Sequence, residues 1–541
     1  MKRALFTYAL PGLLLFVAGT VLGLRVNEPA TPADPYKELQ KLEEAYLLIN
    51  RQYVEEVDAK RLAEDAIQAM LKDLDPHSVF IDASHFKDVR QEYEGAFGGI
   101  GIWFDVAVDD TARVTSTLPD GPGEHVGLMP GDRMVAVDDT SIVGLNSLDI
   151  QDRIKGPVGT PVRLGVVRPG RAEPMVFTLE RASIPLYSVD ASYMMDANTG
   201  YVRIGRFAMT THREFVDHVA RLKAQGMERL VLDLRDNPGG IKETAVAVAN
   251  ELLDGDGVIV TTRGRDPREN EVDRITPGGL FTDGAVIVLV NEGSASGSEI
   301  VAGALQDHDR ALIVGRRTFG KGLVQRPFQL RDGSVLQMTV ARYYMPSGRL
   351  IQTPYVDGRD EDYYSAKFAD FERATFSPAE YLADIPDSLR FETLGGRTVF
   401  GGGGVMPDQV IAPDSLSPLA SAPVREALQA GLPVLFARDW LEGDGRTVRD
   451  RWVDDQAGFM EAFHVNDALW AQFVAWSAEH DVVLPDDASR DILEVILKAR
   501  IAQRLFRSEA WYPVFNQVDP TVTGALVLWD QAASLAVHHA R

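Results

Sequence analysis

The chain has 541 residues, 45% hydrophobic and 25% charged, the composition of a folded protein too long for one ordinary core. Its formal net charge of −24 argues against a nucleic-acid partner, which needs a basic face. With no cysteine, thiol catalysis, disulfides and thiolate metal sites are excluded.

Lys2 and Arg3 precede an uncharged, mostly apolar run from Ala4 to Leu24, which Arg25 closes. About twenty apolar residues can span a bilayer, whereas a secretory apolar core has about 7–15. Pro11 and Gly12 interrupt the run, and Ala18-Gly19 is suited to a cleavage site. Residues 1–27 are therefore read as either an uncleaved membrane anchor or a signal peptide, the anchor being preferred. Both readings export the rest of the chain, to the periplasm and attached to the inner membrane in the preferred one. Residues 28–96 form an N-terminal helical segment. It opens on a stiff proline linker, Pro29 to Pro35, and continues as two helices between Tyr36 and Leu74, separated near Tyr53 to Asp58. His77, in the Asp-Pro turn Leu74 to Phe80, is read as a structural hydrogen-bonder rather than a catalytic group.

Residues 97–182 alternate short strands with turn residues: Ile100 to Val106, Arg113 to Leu118, Arg133 to Val137, Val162 to Val167 and Met175 to Leu179. The run Gly127-Leu-Met-Pro-Gly-Asp-Arg-Met134, followed by Val137-Asp138 and a helix at Ser147 to Ile154, resembles a PDZ domain. The resemblance implies a groove that takes an extended peptide as an added strand, with backbone N–H groups holding its terminal carboxylate. The carboxylate loop would be Gly98, Gly99, Ile100 and Gly101, with Ile102 lining the groove.

Residues 183–414 switch to alternating strands and helices, which predicts an α/β core. Strands are expected at Gly200 to Ile204, Leu230 to Leu234 and Ala285 to Val290, and helices at Thr210 to Gln225 and Lys242 to Leu253. Two of these strands run into turns of small residues: Arg235-Asp-Asn-Pro-Gly-Gly240, and Asn291-Glu-Gly-Ser-Ala-Ser-Gly-Ser298 at the head of a helix. The second turn puts serines beside unpaired backbone N–H groups and the positive end of a helix dipole. A further strand, Ala311 to Val314, leads to Gly320-Lys321-Gly322, with Gln325 just beyond. A serine on a strand-to-helix turn and a lysine on the next loop suit a Ser–Lys hydrolase.

Asn291 to Leu305 followed by Gly315 to Gln325 resembles the catalytic core of the carboxyl-terminal processing peptidases, or tail-specific proteases, of the S41 family. The resemblance covers most of the chain. It implies a crotonase-like (ClpP/crotonase-type) fold, Ser296 as nucleophile, Lys321 as general base and Gln325 as its support. It further implies an oxyanion hole from the amides of Gly239 or Gly240 and of Gly297, which stands where the family usually has alanine. No cofactor is implied. The expected partners are protein or peptide substrates with a free C-terminus. An adaptor protein and a second copy of the chain, in a homo-oligomer, are further candidate partners, and the sequence identifies neither. A catalytically silent, peptide-binding scaffold of the same fold is the alternative, and the presence of both Ser296 and Lys321 weighs against it.

Asp254 to Gly284, rich in Gly, Arg, Asp and Pro, is expected to be an exposed loop near the site. Asp357 to Arg390 is an acidic, aromatic insertion, and the glycines Gly401 to Gly404 are expected to be structural. Asp307-His308-Asp309 lacks the spacing of a helical zinc site. Residues 415–541 read as a helical extension that carries six of the seven tryptophans and no catalytic motif, suited to docking or dimerisation.

Overall fold

The computed structural model describes residues 34–106, 111–118, 120–168, 170–171, 173–356, 360–413, 419, 421–484 and 489–539. The apolar run at residues 4–24 lies outside them. Among the described residues no helix is long and apolar enough to cross a membrane. The chain divides into two compact units, Met1–Asp73 and Leu74–Arg541.

In the first unit, α1 (Pro35–Gln52) starts on Asp34, whose side chain accepts the Tyr36 N–H, and α2 (Ala59–Lys72) starts on Asp58, which accepts the Arg61 N–H. The break between them falls where the sequence predicts it. The Tyr46 hydroxyl joins the pair by donating to the Ala59 carbonyl at 2.9 Å.

The second unit opens with β1 (Val79–Ile81) and α3 (Ala83–Glu94), which ends on Gly95 in the left-handed region at φ 72°. The PDZ module follows. Its strands are β2 (Ala96–Gly99), β3 (Ile102–Val106), β4 (Ala112–Thr117), β5 (Arg133–Val137), β6 (Pro161–Val167), β7 (Met175–Glu180) and β8 (Ala182–Pro185). One antiparallel sheet runs β3-β4-β5-β6-β7, so β3 is an edge strand; β2 pairs with β8. Alternation along β6 buries Val162, Leu164 and Val166 against Ile150 and Ile154 of α4 (Ser147–Ile154).

The main sheet is β9 (Val189–Met194), β10 (Thr199–Ile204), β11 (Arg229–Asp233), β14 (Ala285–Val290), β15 (Leu312–Gly315) and β18 (Gln409–Val410), in that order. All pairs except β9–β10 are parallel. The unbroken apolar runs of β11 and β14 follow from burial on both faces. One face packs Leu230, Leu232, Val286 and Val288 in a core with residues of α5 (Thr211–Ala224), α6 (Lys242–Asn250) and α7 (Gly297–Asp307). The other face, with Tyr201, Val231, Ile287 and Leu289, is covered by Val522, Ala525, Trp529 and Ala532. These come from two of the last helices, α12 (Pro520–Leu526) and α13 (Trp529–His539).

A second, antiparallel sheet orders β1, β17 (Val335–Tyr344), β12 (Val258–Gly264) and β13 (Glu271–Arg274), with β16 (Leu323–Gln329) also paired to β17. Residues 254–284 are thus not an open loop. The β-branched run Val258-Ile-Val-Thr-Thr262 forms a strand that buries Ile259, Val260 and Thr262, and the Gly- and Asp-rich flanks masked it in the sequence. The insertion folds as α8 (Asp360–Phe376) and α9 (Pro378–Asp384). The four glycines are structural: the Gly402 and Gly404 N–H groups donate to the Leu350 and Ile351 carbonyls, both at 2.8 Å.

The rest of the extension has its own aromatic core, with Phe436 of α10 (Leu432–Glu442), Trp452, Phe459, Phe473 and Phe506 of α11 (Arg490–Phe506). It reaches the PDZ sheet through the ion pairs Arg504–Asp105 and Arg113–Glu442, both 2.7 Å. The extension therefore docks within the chain, on the PDZ module at one end and the protease sheet at the other.

Candidate active site

Two strand-to-helix turns meet at the C-terminal ends of β11 and β14, where an open parallel sheet presents its loops. In the β11 turn, Asn237 donates from Nδ2 to the Ile204 carbonyl at 2.9 Å and accepts the Gly239 N–H on Oδ1 at 2.8 Å. The β14 turn is fastened to it by the reciprocal Asn291–Asp236 bonds (2.8 and 2.9 Å) and by three further bonds. The Ser294 hydroxyl donates to the Leu234 carbonyl (2.8 Å), and the Ser298 hydroxyl and Ala295 N–H both donate to the Asn237 carbonyl (2.9 Å each). Two of the three serines are thereby tied into the scaffold.

Ser296 is the N-cap of α7 and has φ 53° and ψ −110°, a conformation that a non-glycine residue adopts only when its surroundings hold it. The holding group is Glu299, fully buried three residues on. Its Oε2 accepts the N–H groups of both Ser296 (2.9 Å) and Lys321 (2.8 Å). Its Oε1 accepts the Gly320 N–H (2.6 Å) and the Thr318 hydroxyl (2.5 Å). One carboxylate thus joins the serine turn to the lysine loop. Burial pushes its carboxyl up from the ordinary range, against four hydrogen bonds that favour the ionised form. Glu299 was missed as a site residue, although Ser296-Gly-Ser-Glu299 has the S-x-x-E spacing of a capping box.

The Lys321 amine donates to Gln325 Oε1 at 2.7 Å. Gln325 is in turn fixed by its amide bond to the His77 carbonyl and by Gln337 Nε2 at 3.2 Å. His77 therefore serves through its backbone, in a turn whose Asp75 carboxylate accepts the His77 and Ser78 N–H groups at 2.9 Å. Burial lowers the pKa of Lys321, opposed by the negative charges of Glu299 and Asp75. A neutral oxygen as partner leaves that lowering in place, where a carboxylate would undo it. The buried Tyr343 hydroxyl lies between the two elements, its single proton shared between the Lys321 carbonyl, the nearer acceptor, and the Ser296 carbonyl at 3.2 Å.

Ser296 and Lys321 line one cavity of about 460 Å³, together with Gly240, Ile241, Ile300, Leu323, Gln325 and Tyr343. Phe86, Arg90 and Tyr93 of α3 form another part of its wall. Of the three glycines expected at the oxyanion site, Gly240 lines this cavity and Gly239 and Gly297 do not, the Gly239 N–H being donated inside its own turn. Gly239 packs against the serine turn instead: an added Cβ would lie 2.7 Å from Ser296 Cβ and 2.8 Å from Gly297 N. Gly297 is the first residue of α7, directly after Ser296.

In the PDZ module, Gly98 and Gly99 belong to β2 and pair with Ser183 and Ala182, so they are strand rather than loop. Gly98 is a glycine because an added Cβ would meet the Gly156 carbonyl oxygen at 2.0 Å. The turn proper is Ile100-Gly101, with Gly101 at φ 66° and Ile102 opening the edge strand β3. The Ile100 side chain is buried in the module's core and Ile102 packs against it.

Asp307 and Asp309, of the triplet set aside above as a zinc site, pair with Arg349 (2.7 Å) and Arg397 (2.5 Å).

Comparison with known proteins gives matches to three family models: peptidase family S41 over residues 198–363, a PDZ domain over 113–168, and the activating protease CtpB N-terminal domain over 23–85. A carboxy-terminal-processing protease of Bartonella bacilliformis is 37% identical over 352 residues, 63% of this chain and 80% of the relative. The carboxy-terminal processing protease CtpB of Bacillus subtilis is 31% identical over 388 residues, 68% of this chain and 80% of the relative. Among solved structures, the photosystem II D1 C-terminal processing protease is 33% identical and matches over 58% of this chain and 83% of its own, with a TM-score of 0.32.

Proposed function

The chain belongs to the carboxy-terminal processing proteases of peptidase family S41, and on that premise we propose that it is a serine endopeptidase with a Ser296–Lys321 dyad. In this reading it cuts exported proteins near their C-termini, and its PDZ domain binds the substrate tail. The observation that carries the dyad is the sharing of Glu299 Oε2 by the Ser296 and Lys321 N–H groups, at 2.9 and 2.8 Å, on the wall of one cavity.

The Ser296 hydroxyl attacks the scissile carbonyl carbon as its proton passes to the neutral Lys321 amine. The oxyanion takes hydrogen bonds from the Gly240 and Gly297 N–H groups, which glycine allows to approach without a side chain in the way. The C–N bond then breaks, Lys321 returns the proton to the leaving amine, and water hydrolyses the acyl-enzyme with Lys321 again as base. A lysine is a poor base at its ordinary pKa of about 10.4, so the lowering by burial is what suits it to the role.

An extended tail would add to the free edge of β3, with its carboxylate at the Ile100-Gly101-Ile102 turn. Residues 1–27 would keep the protein at the inner membrane with its protease domain in the periplasm; membrane fractionation of the native chain tests that part.

The central experiment compares the purified protein with Ser296→Ala on unstructured peptides bearing free or amidated C-termini. Cleavage is expected from the parent and not from Ser296→Ala. Amidation removes charge and acceptor capacity worth about 1.5–3 kcal/mol, so binding should weaken roughly tenfold to a hundredfold. Undiminished cleavage by Ser296→Ala would refute the nucleophile, and equal binding of the two peptides would refute carboxylate reading.

A further inference from the structure

Behind the lysine loop lie two buried cations that the mechanism does not use. Arg317, 2% exposed, comes from the loop, and Lys367, also 2% exposed, comes from α8 of the insertion. Among the described residues neither has a carboxylate partner. Arg317 is held by two rings of the insertion, and Lys367 by Phe319 of the loop together with Tyr363 of its own helix. The Lys367 ammonium sits 3.2 Å from the centre of the Phe319 ring, and donates to the Tyr363 hydroxyl at 2.7 Å. The Arg317 guanidinium lies 4.7 and 5.5 Å from the ring centres of Phe371 and Tyr381, and donates to the Tyr381 hydroxyl at 2.8 Å. The cations are exchanged, one in each direction, across a single seam.

A buried ammonium without a counter-ion is unfavourable unless something else answers its charge, and the face of an aromatic ring does so best where water is excluded. Retaining two such cations on a seam that apolar residues could fill is therefore informative. The seam lies directly behind the site: Phe319 is two residues before Lys321, and the intervening Gly320 N–H is held by Glu299. From the other side, Tyr363 packs edge-on against His77, whose carbonyl holds Gln325. Burial lowers the Lys367 pKa to about 7, with Arg317 and Lys321 acting in the same direction and Glu299 against them; below that pH the Phe319 ring faces an ammonium, and above it a neutral amine that still donates to Tyr363.

We propose that the α8–α9 insertion is a positioning element of the hydrolytic centre, in which Lys367 and Arg317 clasp the Phe319–Lys321 segment and so keep Lys321 in register with Glu299 and Gln325. The proposal rests on the dyad reading above for its effect on rate, but not for its effect on the loop itself. Lys367 is a positioning residue: it acts through Phe319 and does not line the cavity that holds Ser296 and Lys321.

The test uses the full chain with Lys367→Met, which keeps length and apolar bulk, with Phe319→Leu, and with the double variant. Each single change is expected to lower kcat about tenfold with KM held within about twofold, and the double variant to fall no further, because both remove one contact. Lys367→Arg, which keeps a cation over the ring, should recover part of the loss. Amide hydrogen exchange at Gly320 and Lys321 should speed up about tenfold in Lys367→Met, with exchange in β14 unchanged. Should Lys367→Met not fold, Phe319→Leu removes the same contact from the other side and is read by the same measurements. A kcat within twofold of the parent, effects that multiply in the double variant, or unchanged exchange at Gly320 and Lys321 each overturn the proposal. The exchange readout does not need Ser296 to be the nucleophile, so it fails separately from the dyad reading, which fails on Ser296→Ala.

Discussion

The turns after β11 and β14 leave neighbouring parallel strands at the same end of the sheet, enter helices of similar length, and face one cavity, yet they are held by opposite means. The β11 turn is built on glycine. Gly239 and Gly240 have φ 95° and 143°, and an added Cβ on Gly240 would lie 2.1 Å from the Phe207 carbonyl oxygen. The β14 turn carries a side chain at its most strained point, Ser296 at φ 53°, and a buried carboxylate holds the backbone there. A backbone amide meant to approach a substrate needs empty space around it. A nucleophile needs its side chain, so its strain must be met by hydrogen bonding. The comparison teaches that the first turn is limited by sterics and the second by electrostatics, and substitutions can separate the two.

The largest effects are expected on the electrostatic side. Lys321→Ala should reduce kcat/KM at least about a thousandfold with the fold intact, as removal of one member of a catalytic pair does. Lys321→Arg should be equally inactive, since a guanidinium cannot accept a proton near neutral pH. Below its pKa in the folded protein, Lys321 is protonated and cannot serve as base. Because burial lowers that pKa, kcat/KM should rise with pH and level off well before a free lysine would titrate, at about 10.4. A pH–rate profile checks this, and an active arginine variant would sink the role assigned to Lys321.

Next is the steric side. Gly240→Ala combines a φ reserved for glycine with a backbone collision, a strain of about 1–3 kcal/mol before Phe207 is displaced. A loss of roughly a hundredfold in kcat and a lowered unfolding midpoint are expected. Gly297→Ala meets only side chains, at 3.1 Å from Phe207 and 3.2 Å from Ala245, and should lose much less. Thermal unfolding and steady-state kinetics measure both, and the comparison of the two turns breaks if the alanines rank the other way.

How legible each turn was in the sequence follows the same division. The strand Ala285–Val290 could be bounded from its apolar run alone, and the helix Ser147–Ile154 from its place after the PDZ-like glycine run. Glycine-dependent geometry leaves glycines, so the β11 turn was visible. The sequence could not say that Gly240 rather than Gly239 faces the cavity, because that depends on Asn237 Oδ1 taking the Gly239 amide. Glu299 was hidden for a related reason: its partners Gly320 and Lys321 lie on a different loop, and long-range hydrogen bonds leave no periodic trace. The strand Leu323–Gln329 was missed because Arg326, Pro327 and Gln329 sit on an exposed stretch with no apolar run. The insertion read as acidic and aromatic, but the pairing of Lys367 with Phe319 needs both elements in place.

Glu299→Gln sharpens the electrostatic half. A carboxylate offers acceptors on both oxygens to four donors; glutamine turns an NH2 toward two of them, leaving buried donors facing donors. Each unsatisfied buried group costs about 1–3 kcal/mol, so a destabilisation of several kcal/mol is expected, with kcat down about tenfold to a hundredfold. Denaturant unfolding gives the first quantity and burst kinetics the second. Unchanged stability would mean that Glu299 does not join the two loops.

The smallest effects belong to the two serines that flank Ser296, and they test whether fastening can be told from chemistry. The Ser294 hydroxyl makes two buried bonds, donating to the Leu234 carbonyl at 2.8 Å and accepting the Asn291 N–H at 3.0 Å. The Ser298 hydroxyl donates once, to the Asn237 carbonyl at 2.9 Å, an oxygen that the Ala295 N–H also serves. Ser298→Ala therefore leaves that carbonyl with a partner and should cost about 1 kcal/mol. Ser294→Ala strands the Asn291 N–H and leaves the Leu234 carbonyl only the longer bond from the Asn237 N–H (3.3 Å), and should cost about 2 kcal/mol. Neither hydroxyl is needed for acyl transfer in the proposed mechanism, so both variants should cleave peptide within a few-fold of the parent at temperatures where they are folded. If Ser298→Ala or Ser294→Ala abolished cleavage in a folded protein while Ser296→Ala did not, the nucleophile would have to be reassigned. If instead the two stabilities came out equal, the fastening of one turn to the other would rest on the Ala295 N–H and the Asn291–Asp236 pair at 2.8 Å rather than on these hydroxyls.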